Sequence, residues 1–173
     1  GSSAASAVAG AVAANALLAE PLPLAGLMPY ALAGEQVASG AVHADNVAPS
    51  LLGGLVLCPP SLLPDVVALK VPAGVSSVLL HPELQVSTAE SRKGLSRSVT
   101  VEQWLTQQGF LAGFIAACQS GDLALLARCL KDVIADAANL ATVMAQACRQ
   151  QGVDCQTWIS PMNAPGARVE APE

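Results

Sequence analysis

The pattern of apolar and polar positions changes its period several times along the chain, and each change marks an expected element. From Gly1 to about Ala19 alanine dominates, with Val8, Val12, Leu17 and Leu18 as an imperfect apolar stripe. Alanine is the strongest helix former, so this segment predicts a helix, stopped by Pro21 and Pro23. A second short helix is expected from Leu22 to about Ala38, interrupted near Pro29 and carrying Glu35 towards its end. Residues 51–57, 66–71 and 75–80 read as strands between turns that hold proline or glycine, and Pro59, Pro60, Pro64 and Pro72 exclude helices there. Helical spacing returns at Thr100 and runs to Cys118, with Trp104, Leu105, Leu111, Phe114 and Ile115 as apolar members. Asp122 caps a further helix to about Ala135, whose Leu123, Leu126, Leu130 and Ile134 are expected to face inwards. Residues 136–151 form a third helical stretch ended by Gly152, and Thr157, Trp158 and Ile159 suggest a last strand. The tail over 163–170 reads as a turn plus a short strand. A boundary between two lobes falls near residue 80.

One stretch stands apart from this alanine, leucine and valine background. Between Gly34 and Gly54 lie Glu35, His43, Asp45 and Asn46, with the carboxylate eight positions before the histidine. Polar side chains so concentrated in an apolar chain need partners or a task. Asp45 and Asn46 can form an Asx-type bend with His43 bonded to a carbonyl, which would make the stretch a satisfied turn. The alternative is that it carries chemistry.

Composition narrows the class. A chain of 173 residues is one ordinary domain or two small ones and can bury a core without staples. Hydrophobic residues make up 53% and charged residues 12%, which excludes a disordered chain. Aromatics are 3%, so the core must be built from small aliphatic side chains. A net charge of −5 with scattered Lys and Arg excludes nucleic acid as a partner. No run reaches the roughly 18 consecutive apolar residues of a membrane span, and the alanine-rich start has no basic region of the kind that opens a secretory signal. Five cysteines without a C-x-x-C pair suggest reduced, buried thiols in a cytoplasmic protein.

Two short motifs could carry function. Gly1, Ser2 and Ser3 open the first helix, where free backbone N–H groups, hydroxyls and the positive end of the helix dipole suit a phosphate. Ser2 as a plain N-cap, or Gly-Ser-Ser as a cloning scar, explains the same residues. In V-S-T-A-E-S-R, residues 86–92, Thr88 and Arg92 are four apart and share a helix face, and the guanidinium could grip a carboxylate in bidentate fashion. Ser87 or Thr88 as a helix cap is the alternative.

Taken together, four blocks resemble the homoserine kinases of the GHMP small-molecule kinase family. G-S-S-A-A-S resembles the second half of the family's P-x-x-x-G-L-G-S-S-A phosphate loop, and G-A-V-H-A-D-N-V-A-P-S-L-L-G-G its substrate-side loop. V-S-T-A-E-S-R and L-A-G-F-I-A-A-C with L-K-D-V-I-A-D are similar to its C-terminal lobe, and A-P-G-A-R-V to its last strand. The resemblance implies an α+β, two-lobe GHMP-kinase-like architecture, with residues 1–80 as the remainder of the ATP-binding domain and 81–173 as an incomplete C-terminal domain. It implies transfer of the γ-phosphoryl of ATP to the hydroxyl of L-homoserine, a step towards threonine, with ATP and Mg²⁺ as cofactors. Gly1, Ser2 and Ser3 would cradle phosphate; Glu35, with Ser2 or Ser3, would hold Mg²⁺; His43, Asn46, Thr88 and Arg92 would bind the amino acid. No catalytic base is assigned. A homodimer is compatible with the family.

The departures bear on activity. The family's first strands and the G-x-G-L half of its phosphate loop would precede Gly1, and a stretch with the glycine-rich S-G-S-G-P motif would lie between Asp136 and Ala137. If the chain is complete, exposed edges and apolar faces predict poor solubility and little turnover. The alternatives are therefore an inactive fragment that only binds a small amino acid or a partner, and an alanine-rich helical interaction module.

Overall fold

The computed structural model describes residues 1–82, 98–131, 155–162 and 164–170. It divides into two compact units, one of residues 1–71 with 162–173 and one of residues 72–161.

Three helices make the first unit. Helix α1, Ser2–Ala16, buries Ala4, Val8 and Val12, one side chain per turn. A 3₁₀ turn, Leu24–Leu27, leads into α2, Met28–Ser39, which buries Met28, Ala31, Leu32 and Glu35. The break expected near Pro29 does not occur. Pro29 sits in the first turn of α2, where its missing N–H has no carbonyl to meet and its fixed φ suits the helix. Gly40 ends α2 in the left-handed conformation, φ 75°.

Helix α3, Ala44–Leu52, replaces the expected bend and the first half of the strand expected over 51–57; only Leu55–Leu57 is a strand, β1. Ala44, Val47, Ala48 and Leu51 are buried at helical spacing, and packing that stripe against α1 and α2 outweighs Pro49 inside the helix. Strand β1 pairs antiparallel with β2, Val67–Leu69, Val56 standing opposite Ala68.

The segment 164–170 returns to the end of α3 as a single bridge between Gly53 and Pro165 rather than the expected strand. The Ala167 N–H donates to the Ser50 and Leu51 carbonyls, and the Gly54 N–H to that of Ala164. A side chain at Gly53 would run into the backbone of residues 164–166, and one at Gly166 into that of Leu51 and Leu52, so both positions require glycine.

In the second unit, β3, Ser76–Pro82, pairs antiparallel with β4, Cys155–Pro161, placing Val78 opposite Ile159. The expected strands at 75–80 and 157–159 are present. Helix α4, Val101–Ser120, opens with a capping box in which Thr100 accepts from the Gln103 N–H and the Gln103 side chain accepts from the Thr100 N–H. Asp122 caps α5, Leu123–Cys129, through the Leu125 N–H. The expected apolar stripe is core only in part: Trp104, Leu105, Leu111, Leu123 and Leu130 are exposed, Phe114 and Ile115 are half-buried, and Leu126 is buried as expected, together with Ala117 and Cys118. Small residues face the α4–α5 contact, where Gly113 leaves room for the Cys129 thiol. Ile134 and the helix expected over 136–151 lie outside the described residues. Among the described residues, no helix is long and apolar enough to cross a membrane.

Candidate functional site

Glu35 falls on the core-facing stripe of α2, one turn beyond Ala31 and Leu32. It is 1% exposed, the one charged residue among the buried described residues. Its neighbour Gly34 lets α1 approach closely, since a Cβ there would stand 3.1 Å from the Ala7 Cβ. One turn before Ala7, the Ser3 hydroxyl donates to Glu35 Oε1 at 3.2 Å. From the other side, His43 Nδ1 lies 2.8 Å from the same oxygen. A carboxylate only accepts, so Nδ1 carries the proton and donates.

His43 is the N-cap residue of α3, but its side chain makes no cap bond and turns to Glu35 instead. Its carbonyl accepts from the N–H groups of Asn46 and Val47. The bond from His43 holds the Glu35 carboxyl below the usual carboxylate range; burial pushes the other way, and the Ser3 hydroxyl adds to the lowering. Glu35 is therefore ionised at neutral pH. Its second oxygen, Oε2, is buried and has no hydrogen-bond partner among the described residues. A buried carboxylate oxygen left without a donor is costly unless a cation or a ligand group meets it.

Helix α1 begins at Gly1 with no side-chain cap and no acidic residue in its first turn. Its first turn, at the positive end of the dipole, holds Ser3, which bonds Glu35. Ser2 is exposed, while Ser3 is half-buried and bonded.

Of the residues singled out in the sequence, the fold thus brings Ser3, Glu35 and His43 into one bonded chain. Asn46 stands three residues after His43 in the first turn of α3 and is exposed. Thr88 and Arg92 lie outside the described residues. Sequence reasoning passed over Ser39, four residues after Glu35 and four before His43, whose Oγ is 3.2 Å from His43 Nδ1. That spacing was the available signal. Burial raises the pKa of the Cys58 and Cys118 thiols, with the Asp45 charge adding to the effect at Cys58, so both stay protonated at neutral pH. Groups of three or more His, Cys, Asp or Glu side chains able to hold a metal are absent among the described residues.

Comparison with known proteins identifies related chains. Residues 1–54 match the model of the GHMP kinases N terminal domain. A homoserine kinase of Xylella fastidiosa (strain 9a5c) is 35% identical over 212 aligned positions, covering 98% of this chain and 65% of that protein. One of Xanthomonas campestris pv. campestris (strain B100) is 34% identical, covering 99% and 66%. The crystal structure of homoserine kinase from Cytophaga hutchinsonii ATCC 33406 superposes with a TM-score of 0.84 at 27% identity, covering 94% of this chain and 65% of that one. The chain thus spans about two thirds of the length of the curated relatives it matches. Because 212 aligned positions exceed the 173 residues here, the Xylella relative also carries residues without a counterpart in this chain. The matched domain model, the curated relatives and the solved structure agree: the chain belongs to the GHMP kinase family.

Proposed function

We propose that this chain carries the phosphoryl-transfer site of a homoserine kinase, moving the γ-phosphoryl of ATP to the hydroxyl of L-homoserine to give O-phospho-L-homoserine. The reaction would serve threonine biosynthesis in the cytoplasm. The observation that carries the reading is Glu35, a buried, ionised carboxylate tied by one oxygen to Ser3 and His43 and, among the described residues, unpartnered at the other.

The donor set fits Mg²⁺, which takes one or two protein oxygens and draws its remaining ligands from water and phosphates. Glu35 Oε2 and the Ser3 hydroxyl would hold it. Ser3 is preferred to Ser2 because Ser3 already meets the carboxylate. When bound, the ion neutralises charge on the transferring phosphoryl group. The chain's own residues position the reactants. The N–H groups at Gly1, Ser2 and Ser3 cradle phosphate, and His43 and Asn46 orient the amino acid. Arg92 pairs with its carboxylate and Thr88 with a polar group, as the family resemblance implies. Transfer between positioned groups needs no strong general base, and none is assigned.

The test is a coupled assay of ADP formation from ATP with Mg²⁺ and L-homoserine, preceded by an intact mass. Homoserine-dependent turnover that disappears in Glu35→Gln and Arg92→Ala is expected. Turnover independent of homoserine would overturn the reading. A second reading, an amino-acid-binding remnant without transfer, is favoured by the aligned residues of the relatives that have no counterpart here. Calorimetric binding of L-homoserine with no ADP release would select it.

A further inference from the structure

The hydroxyl of Ser39 has no part in the reading above, yet it touches both ends of the Glu35–His43 link. Its Oγ lies 2.9 Å from the Glu35 carbonyl oxygen and 2.8 Å from that of Ala41. It also lies 3.2 Å from His43 Nδ1 and accepts from the Ala41 N–H at 3.5 Å. A hydroxyl has one proton and two lone pairs. The proton goes to one of the two carbonyls, and the lone pairs face the Ala41 N–H and the Nδ1 proton of His43. That proton is required independently, because Glu35 Oε1 at 2.8 Å can only accept. The His43 N–H thus sits in a fork between a carboxylate oxygen and the Ser39 hydroxyl.

A serine bonding back to the carbonyl four residues earlier is common in helices and means little alone. Ser39 does more than that. It closes the turn at Gly40, where α2 ends in the left-handed conformation, and it reaches the side chain that starts α3. It is exposed, so packing does not account for its position.

We propose that Ser39 is a positioning residue: its hydroxyl ties the 40–42 turn and forms the second acceptor for the His43 Nδ1 proton, fixing the imidazole on Glu35 in the orientation that amino-acid binding uses. The substrate part of this proposal rests on the kinase reading. The positioning of the ring does not.

Two variants separate the role from simple stability. Ser39→Ala removes the hydroxyl, and Ser39→Thr keeps it while adding one methyl group at an exposed position. The first readout is the exchange rate of the His43 Nδ1 proton by NMR, assigned by its disappearance in His43→Gln. Ser39→Ala should speed exchange by roughly threefold to tenfold, the worth of about one hydrogen bond, and Ser39→Thr should restore it. The second readout is the KM for L-homoserine, which should rise by a similar factor in Ser39→Ala while the KM for ATP holds. Unchanged exchange in Ser39→Ala, or no protected His43 Nδ1 proton in the unaltered chain, would overturn the proposal. Faster exchange in a chain without homoserine-dependent turnover would remove the kinase reading and leave the positioning role standing.

Discussion

Gly10, Gly40 and Gly53 present the same missing side chain in three settings, and replacing each with alanine should change stability in a fixed order. Gly10 lies inside α1, exposed, with open space where a Cβ would stand, so alanine there adds helix propensity and should stabilise by about 0.5–1 kcal/mol. Gly40 has φ 75° and ψ 0°, also with open space, so alanine meets only the left-handed strain of about 1–2 kcal/mol, partly offset through the unfolded state. Gly53 has φ 77° and ψ −178°, a region that costs a residue with a Cβ about 1–3 kcal/mol. Its Cβ would also overlap the backbone of residues 164–166. Relieving that overlap sacrifices the bonds from Gly54 N–H to Ala164 and from Ala167 N–H to Leu51, each worth about 0.5–1.5 kcal/mol net. The total for Gly53→Ala is roughly 2–6 kcal/mol. Thermal melts report this as a fall of roughly 4–24 °C, against a small fall for Gly40→Ala and a small rise for Gly10→Ala. A Gly53→Ala protein that melts with its parent would mean the 164–170 segment is not held on α3 as described.

The remaining predictions concern the carboxylate and the core beneath it. Glu35→Gln keeps the shape and loses the charge, so Mg²⁺-dependent turnover should drop at least about 100-fold, and a Mg²⁺ titration of activity would show whether the metal requirement changes with it. The carboxyl of Glu35 is lowered by its bond from His43, so its contribution to stability is present above the ordinary carboxylate pKa and disappears as pH falls through the depressed folded value. Melts on acidification should therefore decline more steeply for the parent than for Glu35→Gln, and parallel curves would show that the bond contributes nothing to folding. Leu51→Ala empties a site that is 0% exposed and should cost about 2.7–5 kcal/mol by urea unfolding; a cost below about 1 kcal/mol would mean that α3 is not packed as described.

The sequence showed where helices α1, α4 and α5 begin because their signals are local, alanine content and the Thr100 and Asp122 caps, whereas α2 starts at Met28, six residues after the expected Leu22. Helix α3 was hidden because Asp45, Asn46 and Pro49 are turn residues by local preference. The winning term, burial of Ala44, Val47, Ala48 and Leu51 against α1 and α2, depends on packing not visible along the chain. The same limit explains the exposed Trp104 and Leu105: periodicity gives a face but not the neighbour that covers it. Glu35 and His43 were legible as a pair through family resemblance. Ser3 was singled out in the sequence, but its bond to Glu35 across 32 positions was not legible there.

Glu35 also shows why the site reads as functional rather than structural. Met28, Ala31 and Leu32 share its stripe, and a leucine at 35 would continue the apolar surface of α2 without a desolvation cost. A structural carboxylate in that setting would be expected to satisfy both oxygens, yet among the described residues only Oε1 accepts, from Ser3 and His43. The two donors hold the group in one orientation and leave its other oxygen with unmet demand. That combination, a fixed carboxylate with one oxygen left without a donor among the described residues, is poor for stability and is what the proposed role in ligation would use. It accounts for the glycine at 34, which brings Ser3 near, and for the histidine at 43, which turns from capping α3 to bonding the carboxylate.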